Sequence, residues 1–239
     1  MSASPATSSS TTATTSASTS TSAPSSHISW TSAFGRACGV LLDTIVRWLA
    51  LSRINPNVLT FMGLVVNTWA AILFASAAAG NQKRLFIYAG LVIIFSGFFD
   101  LVDGQVARAT NRVTRFGAFF DSVVDRYSDA SQFLGLVIFY ARGGRFFYVV
   151  LTAFVMVSAI MVSYTRARAE SLIGSCRVGF MERPERLVLV ILGALFNRMA
   201  PVLWIIAVLS TITVIHRMRY TWTRTQDPPA TATKAGQAA

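Results

Sequence analysis

The sequence predicts an all-α integral membrane protein, with six transmembrane helices preceded by an interfacial amphipathic helix. Three observations carry that fold class. Of the 239 residues, 53% are hydrophobic and 13% charged, and the mean hydropathy is +0.53, too apolar for an ordinary water-soluble domain. Several apolar stretches approach or exceed the roughly 20 residues that carry a helix across a hydrocarbon core of about 30 Å. The arginines behind the net charge of +11 sit mostly at the ends of those stretches. There they suit lipid headgroups, phosphate substrates and topology signals rather than nucleic acid.

Residues 1–29 are almost all Ser, Thr and Ala, with no charged residue before Arg36. They cannot bury a core, so a disordered tail is expected. They also lack the basic start and apolar run of a secretory signal and the arginines of a transit peptide. In residues 30–53, Arg36, Asp43 and Arg47 interrupt an apolar pattern containing Trp30, Leu41, Ile45 and Trp48, which suits a helix lying in the membrane interface. A six-helix domain is expected over 54–221, with spans at 57–79, 84–108, 115–140, 145–168, 184–198 and 200–219, and a second disordered tail at 222–239. With a cytoplasmic N-terminus, fifteen of the 21 Lys and Arg residues fall on the cytoplasmic side and five on the other, leaving Arg126 inside a span. That bias places both termini in the cytoplasm and the chain in the cell (inner) membrane as a multi-pass protein. Cys38 and Cys176 have no His or Cys neighbours at metal-ligand spacing. No internal repeat of the inverted-transporter kind is visible.

Five of the ten acidic residues, Asp100, Asp103, Asp121, Asp125 and Asp129, fall in one 30-residue window inside expected spans. Acids at membrane depth are costly and face a wet cavity or the bundle interior. Asp100 and Asp103 are three apart and Asp121 and Asp125 four apart, so each pair shares a helix face. At 1.5 Å per residue, Asp100 and Asp103 lie roughly 12 and 8 Å from Arg108, and Asp121 and Asp125 roughly 9 and 15 Å from Arg115. The pairs therefore match in depth across a short loop. An all-oxygen carboxylate set without His or Cys favours Mg²⁺ or Mn²⁺, and a metal there implies an anionic substrate such as a diphosphate. Gly104 and Gly117 permit close approach of substrate or backbone, and Arg108 and Thr114 stand where phosphate contacts are expected.

The run Asp100-Leu-Val-Asp103-Gly104-Gln-Val-Ala107-Arg108, followed by Gly117-Ala-Phe-Phe-Asp121-Ser-Val-Val-Asp125, resembles the signature of the CDP-alcohol phosphotransferases at all eight defining positions. The resemblance implies a six-span fold, a homodimer, and a CDP-lipid bound at the cytosolic side. It implies two metal ions held by Asp100, Asp103 and Asp121, with Asp125 contacting the second ion and taking the proton of the acceptor hydroxyl. That hydroxyl then attacks the β-phosphoryl and CMP departs. Pro56-Asn57-Val58-Leu59-Thr60 resembles a nucleotide-contacting segment of the family, although Pro-Asn is also an ordinary helix start. The CDP-lipid set is thus Asn57, Val58, Leu59, Thr60, Gly104, Ala107, Arg108, Thr114 and Gly117.

Arg166, Arg168, Arg183 and Arg186 lie at the cytosolic ends of adjacent spans, interleaved with Glu170, Glu182 and Glu185. Each alone reads equally well as a topology marker, but four together point to a phosphate pocket. The segments Ser163-Tyr164-Thr165-Arg166-Ala167-Arg168-Ala169-Glu170 and Glu182-Arg183-Pro184-Glu185-Arg186 resemble those of the bacterial phosphatidylinositol phosphate synthase branch and its archaeal counterparts. That implies CDP-diacylglycerol as donor, inositol 1-phosphate as acceptor, and the four arginines as acceptor-phosphate ligands. The same chemistry on glycerol 3-phosphate is the nearest alternative. A cation or proton transporter, or a scaffold, would leave the glycines, Ala107 and Arg108 at fixed offsets unexplained. Residues 171–178 carry no interpretable pattern.

Overall fold

The computed structural model describes residues 56–109 and 114–226. The expected tail at 1–29, the amphipathic helix at 30–53 and Cys38 lie outside them. Among the described residues all regular structure is helical: α1 Pro56–Ser76, α2 Gln82–Ala109, α3 Arg115–Arg142, α4 Phe146–Ile173, α5 Arg183–Leu195 and α6 Met199–Gln226. Neighbouring helices pack in the order α1, α2, α5, α6, α4, α3 and back to α1.

The elements follow from familiar local signals. Pro56 opens α1, where its missing N–H costs nothing. Thr114 caps α3 by accepting from Gly117 N at 2.9 Å. Glu182 and Glu185 form a reciprocal capping box at the start of α5, with Pro184 in its first turn. α4 runs five residues past its expected end at 168, because Arg166 and Glu170 pair one turn apart before Gly174 ends it at φ 79°. α6 continues past the expected boundary at 219–222 to Gln226. Thr221, Thr223 and Thr225 bond back to carbonyls one turn earlier there, and no proline intervenes. α1 instead stops short of 79, where Asn81 Oδ1 accepts from Ala78 N at 2.8 Å.

Four helices, α1, α2, α4 and α6, are long and apolar enough to cross a membrane, and no more than 39% of their most apolar stretches is buried within the protein. Apolar side chains such as Trp69, Phe95, Phe154 and Ile212 cover their outer faces, as lipid solvation requires. Two helices fall outside that set of four. α3 has 28 residues but carries Asp121, Asp125, Arg126 and Asp129. α5 has only 13 residues, about 20 Å of helix, because Asn197 at φ 52° breaks it.

Packing without a strong hydrophobic drive depends on close backbone approach. Gly135 supplies it between α3 and α1: a Cβ there would run into the carbonyl of Ala71. The end of the bundle away from the aspartates is an aromatic core. Phe86 meets Phe74 and Phe139 edge-on at 5.0 and 4.9 Å. Buried Gln132 donates to Asn67 at 2.6 Å midway along α1 and α3.

Candidate active site

At the opposite end, α2, α3 and the start of α5 converge. Asp100 and Asp125 face one another across Arg183, whose Nη1 lies 2.9 Å from Asp100 Oδ2 and 2.8 Å from Asp125 Oδ1. Arg183 Nε is 3.8 Å from Asp129 Oδ1, and the other Asp129 oxygen is bound by Arg186. Asp129 and Arg186 are buried, so this second pair braces the first from behind. Asp100 also touches α1, because Gly63 leaves room for it: a Cβ there would lie 3.2 Å from Asp100 Oδ1.

Beside this cluster opens a cavity of about 370 Å³, walled by Asp121, Ser122, Asp125 and Arg126 of α3, Ser163 and Arg166 of α4, Glu182 and Arg183 at the start of α5, and Arg217 of α6. Arg126 is folded back onto Ser122, one turn earlier. Arg166 is held by Glu170 at 3.0 Å and Glu182 at 2.9 Å. Arg217 is buried, with Nη2 2.8 Å from Glu182 Oε1, Nη1 2.5 Å from Val162 O and Nε 2.8 Å from Val178 O. It ties α4, α6 and the loop before α5 into one wall. Residues 171–178, uninterpretable as sequence, turn out to end α4 and deliver that loop. Cys176 and Met181 are buried, Met181 N donates to Thr213 Oγ1 at 3.0 Å, and Gly179 sits at φ 112° where a Cβ would lie 2.5 Å from Thr213 Cγ2.

The expected acceptor-phosphate set is therefore divided. Arg166 and Arg183 line the cavity. Arg168 lines a different groove, on the outer side of α4, because residues two apart on a helix point in nearly opposite directions. Arg186 lies behind the cavity, on Asp129. Arg217, in sequence one of the fifteen basic residues on the cytoplasmic side, lines the cavity in their place. Its signal is a charge buried well inside a long apolar helix.

The expected nucleotide residues gather at the starts of α1 and α3. A Cβ on Gly117 would lie 3.0 Å from Thr114 Oγ1 and 3.4 Å from Asn57 Oδ1, so those three residues meet. Leu59 packs with Val102 and Val106, and its part is to hold α1 against α2. Thr60 is buried, whereas Val58 faces outward. Gly104 lies near Arg108, whose Nη2 a Cβ would approach to 3.8 Å. The side chains of Asp103 and Ala107 lie outside the described residues.

Among the described residues no three His, Cys, Asp or Glu side chains already surround one point. The donor chemistry nevertheless fits a hard divalent ion. Asp100 and Asp125 are close enough to share one cationic nitrogen, and Asp121 stands on the same wall as Asp125.

Comparisons with known proteins place the chain among its relatives. The chain is 38% identical over 178 residues to the archaetidylinositol phosphate synthase of Pyrococcus horikoshii, covering 74% of this chain and 88% of that protein. The crystal structure of Mycobacterium tuberculosis phosphatidylinositol phosphate synthase with CDP-DAG bound superposes with a TM-score of 0.70 at 32% identity, covering 79% of this chain and 98% of that one. The same enzyme in complex with manganese and citrate gives a TM-score of 0.67 at 31% identity, over 79% and 93%. Residues 53–216 match the model of the CDP-alcohol phosphatidyltransferases, and the chain belongs to that enzyme family.

Proposed function

We propose that this transferase moves the phosphatidyl group of CDP-diacylglycerol onto inositol 1-phosphate, giving phosphatidylinositol phosphate and CMP. The observation that carries the acceptor assignment is the single cavity in which Arg166, Arg183 and Arg217 stand beside Asp121 and Asp125. An acceptor bearing its own phosphate needs guanidinium groups within reach of the nucleophile's base. The archaeal and mycobacterial relatives are named for different lipids, yet both names specify an inositol phosphate headgroup.

In this reading Asn57, Thr114, Gly117, Gly104 and Arg108 hold the CDP moiety at the starts of α1 and α3 and the end of α2. Thr60 and Ala107 belong to the set as the resemblance implies, Leu59 fixes α1 against α2, and outward-facing Val58 takes no part. Asp100, Asp103, Asp121 and Asp125 hold two divalent ions, Mg²⁺ or Mn²⁺. When bound, such ions neutralise the diphosphate and the charge that develops on it. The mycobacterial structure with manganese supports a metal of that kind. Asp125 accepts the proton of the inositol hydroxyl as its oxygen bonds to the β-phosphorus, and the bond from that phosphorus to the oxygen of CMP breaks. Arg166, Arg183 and Arg217 orient the acceptor through its phosphate. Arg168 and Arg186 contribute field and bracing from outside the cavity.

The same proposal includes a multi-pass protein of the inner membrane with the site facing the cytoplasm, supported by the arginine distribution. It also includes six spans, α3 crossing with its acids turned inward and α5 completing the bundle, and a homodimer as the family resemblance implies. The test is CMP release from CDP-diacylglycerol with inositol 1-phosphate, glycerol 3-phosphate, free inositol or serine as acceptor, with and without EDTA. Turnover with inositol 1-phosphate that EDTA abolishes is expected. Activity with glycerol 3-phosphate alone would overturn the assignment.

A further inference from the structure

Arg168 stands outside the catalytic cavity and acts on it only through its field. It is exposed on α4, and its guanidinium makes no hydrogen bond or ion pair among the described residues. It lies on a groove of about 320 Å³ between α4 and α6, bordered by Tyr164, Leu172, Met218 and Trp222. No acidic residue lines that groove, and its surface is almost wholly apolar. Arg217 is the common wall between it and the catalytic cavity.

The same seam continues away from the aspartates. A second apolar groove of about 300 Å³ lies between the same two helices, walled by Phe154, Trp204 and Ile212. Phe154 and Arg168 are 14 residues apart, close to a whole number of helical turns, so they share a face of α4 about 21 Å apart along its axis. Trp222 and Trp204 are likewise separated along one face of α6. The seam therefore carries two apolar grooves, with one unpaired guanidinium, Tyr164 and Trp222 at the aspartate end and Trp204 at the other. Its depth exceeds half of a hydrocarbon core of about 30 Å, the reach of a single leaflet's acyl chain.

We infer that the α4–α6 seam is a binding site for an anionic phospholipid of the surrounding bilayer, with its phosphate on Arg168 and one acyl chain lying along the seam toward Phe154 and Trp204. A guanidinium with no carboxylate partner binds phosphate in a fork. The absence of acids from the groove leaves a net positive charge that a zwitterionic headgroup matches less well. The site is separate from the acceptor cavity and does not depend on which alcohol is the acceptor.

The probe is brominated phosphatidylglycerol against brominated phosphatidylcholine, each in nanodiscs with the full chain, reading the fluorescence of Trp222 as wild type minus Trp222→Phe. Phosphatidylglycerol is expected to occupy the groove about fivefold more readily, the effect of one cationic side chain at an anionic headgroup. Arg168→Gln should abolish the preference and Arg168→Lys restore most of it, each with unchanged thermal stability. Equal quenching by both lipids, or a preference that survives Arg168→Gln, overturns the site. So does protection of Trp222 from both lipids together with disulfide-linked dimers of a Phe154→Cys variant, which would put a second copy of the chain on the seam.

Discussion

The two ends of the bundle solve the problem of burial in opposite ways. At the aromatic end, Phe74, Phe86, Phe139 and Tyr140 interlock by shape, and Arg142 and Gln82 reach fixed partners, Ala75 O at 2.7 Å and Asn197 Oδ1 at 2.9 Å. At the aspartate end, the packing is between charges, and hydrogen-bonding capacity is left over. Arg183 Nε and Arg186 Nε and Nη1 are buried without a hydrogen-bond partner among the described residues. Unmet polar groups in a low dielectric cost free energy. A bundle selected for stability alone would repeat the aromatic solution at both ends. The difference marks the aspartate end as the one where chemistry, not packing, chose the residues.

The largest effect that would sharpen this contrast is expected from Asp125→Asn. The change keeps shape and one acceptor oxygen while removing the proposed proton acceptor, so CMP release should fall about 10³-fold. Metal-dependent binding of the CDP-lipid, measured by equilibrium titration, should survive. Unchanged turnover would remove Asp125 from its assigned role.

Arg183→Gln comes next, because Arg183 serves both sides of the cluster. It neutralises Asp100 and Asp125 and also faces the cavity. Losing it should raise the KM for inositol 1-phosphate about tenfold or more. It should also lower the melting temperature in EDTA, since two neighbouring carboxylates then repel each other. Magnesium should stabilise this variant more than the wild type. Equal stabilisation of both would mean that Arg183 and the ion do not share those carboxylates.

Gly135→Ala tests the other end of the comparison. Its new methyl meets the backbone of Ala71, which cannot yield as a side chain would, so a loss of about 1–3 kcal/mol of stability is expected. Both KM values of the folded enzyme should stay at the wild-type level. A selective loss of acceptor affinity would show that the two ends are not independent.

The sequence made the catalytic end legible in one respect and opaque in another. The aspartate pairs could be read directly, since spacings of three and four put carboxylates on one helix face whatever the helix packs against. Burial of acids in lipid needs a reason that a metal site supplies. The ring order of the helices, the brace between Asp129 and Arg186, and the close approach at Gly135 depend on contacts between residues far apart in the chain, and no local pattern encodes them. Arg217 was hidden for a different reason: two residues before the expected end of the span at 219 it looks like a topology marker, and its place inside α6 shows only because that helix runs on to Gln226. The breadth of α5 was misjudged because Phe196 continues the apolar pattern, while the left-handed turn at Asn197 is a backbone event.

The smallest and most discriminating effect concerns Arg166 and Arg168, which the sequence grouped and the helix separates. Arg166 is fixed by Glu170 and Glu182, and Glu182 is in turn fixed by Arg217, so its guanidinium enters the cavity already oriented. Arg166→Gln should raise the KM for inositol 1-phosphate several-fold, by about the effect of one exposed charge-assisted hydrogen bond, with little change in the KM for the CDP-lipid. Arg168→Gln should shift the acceptor KM less, because its side chain reaches the cavity only through the field across Arg217. Measuring the two KM values for both variants decides between the arrangements. A larger shift from Arg168 than from Arg166 would require the end of α4 to rotate when the acceptor binds, and would return Arg168 to the phosphate pocket that its place in the sequence suggests.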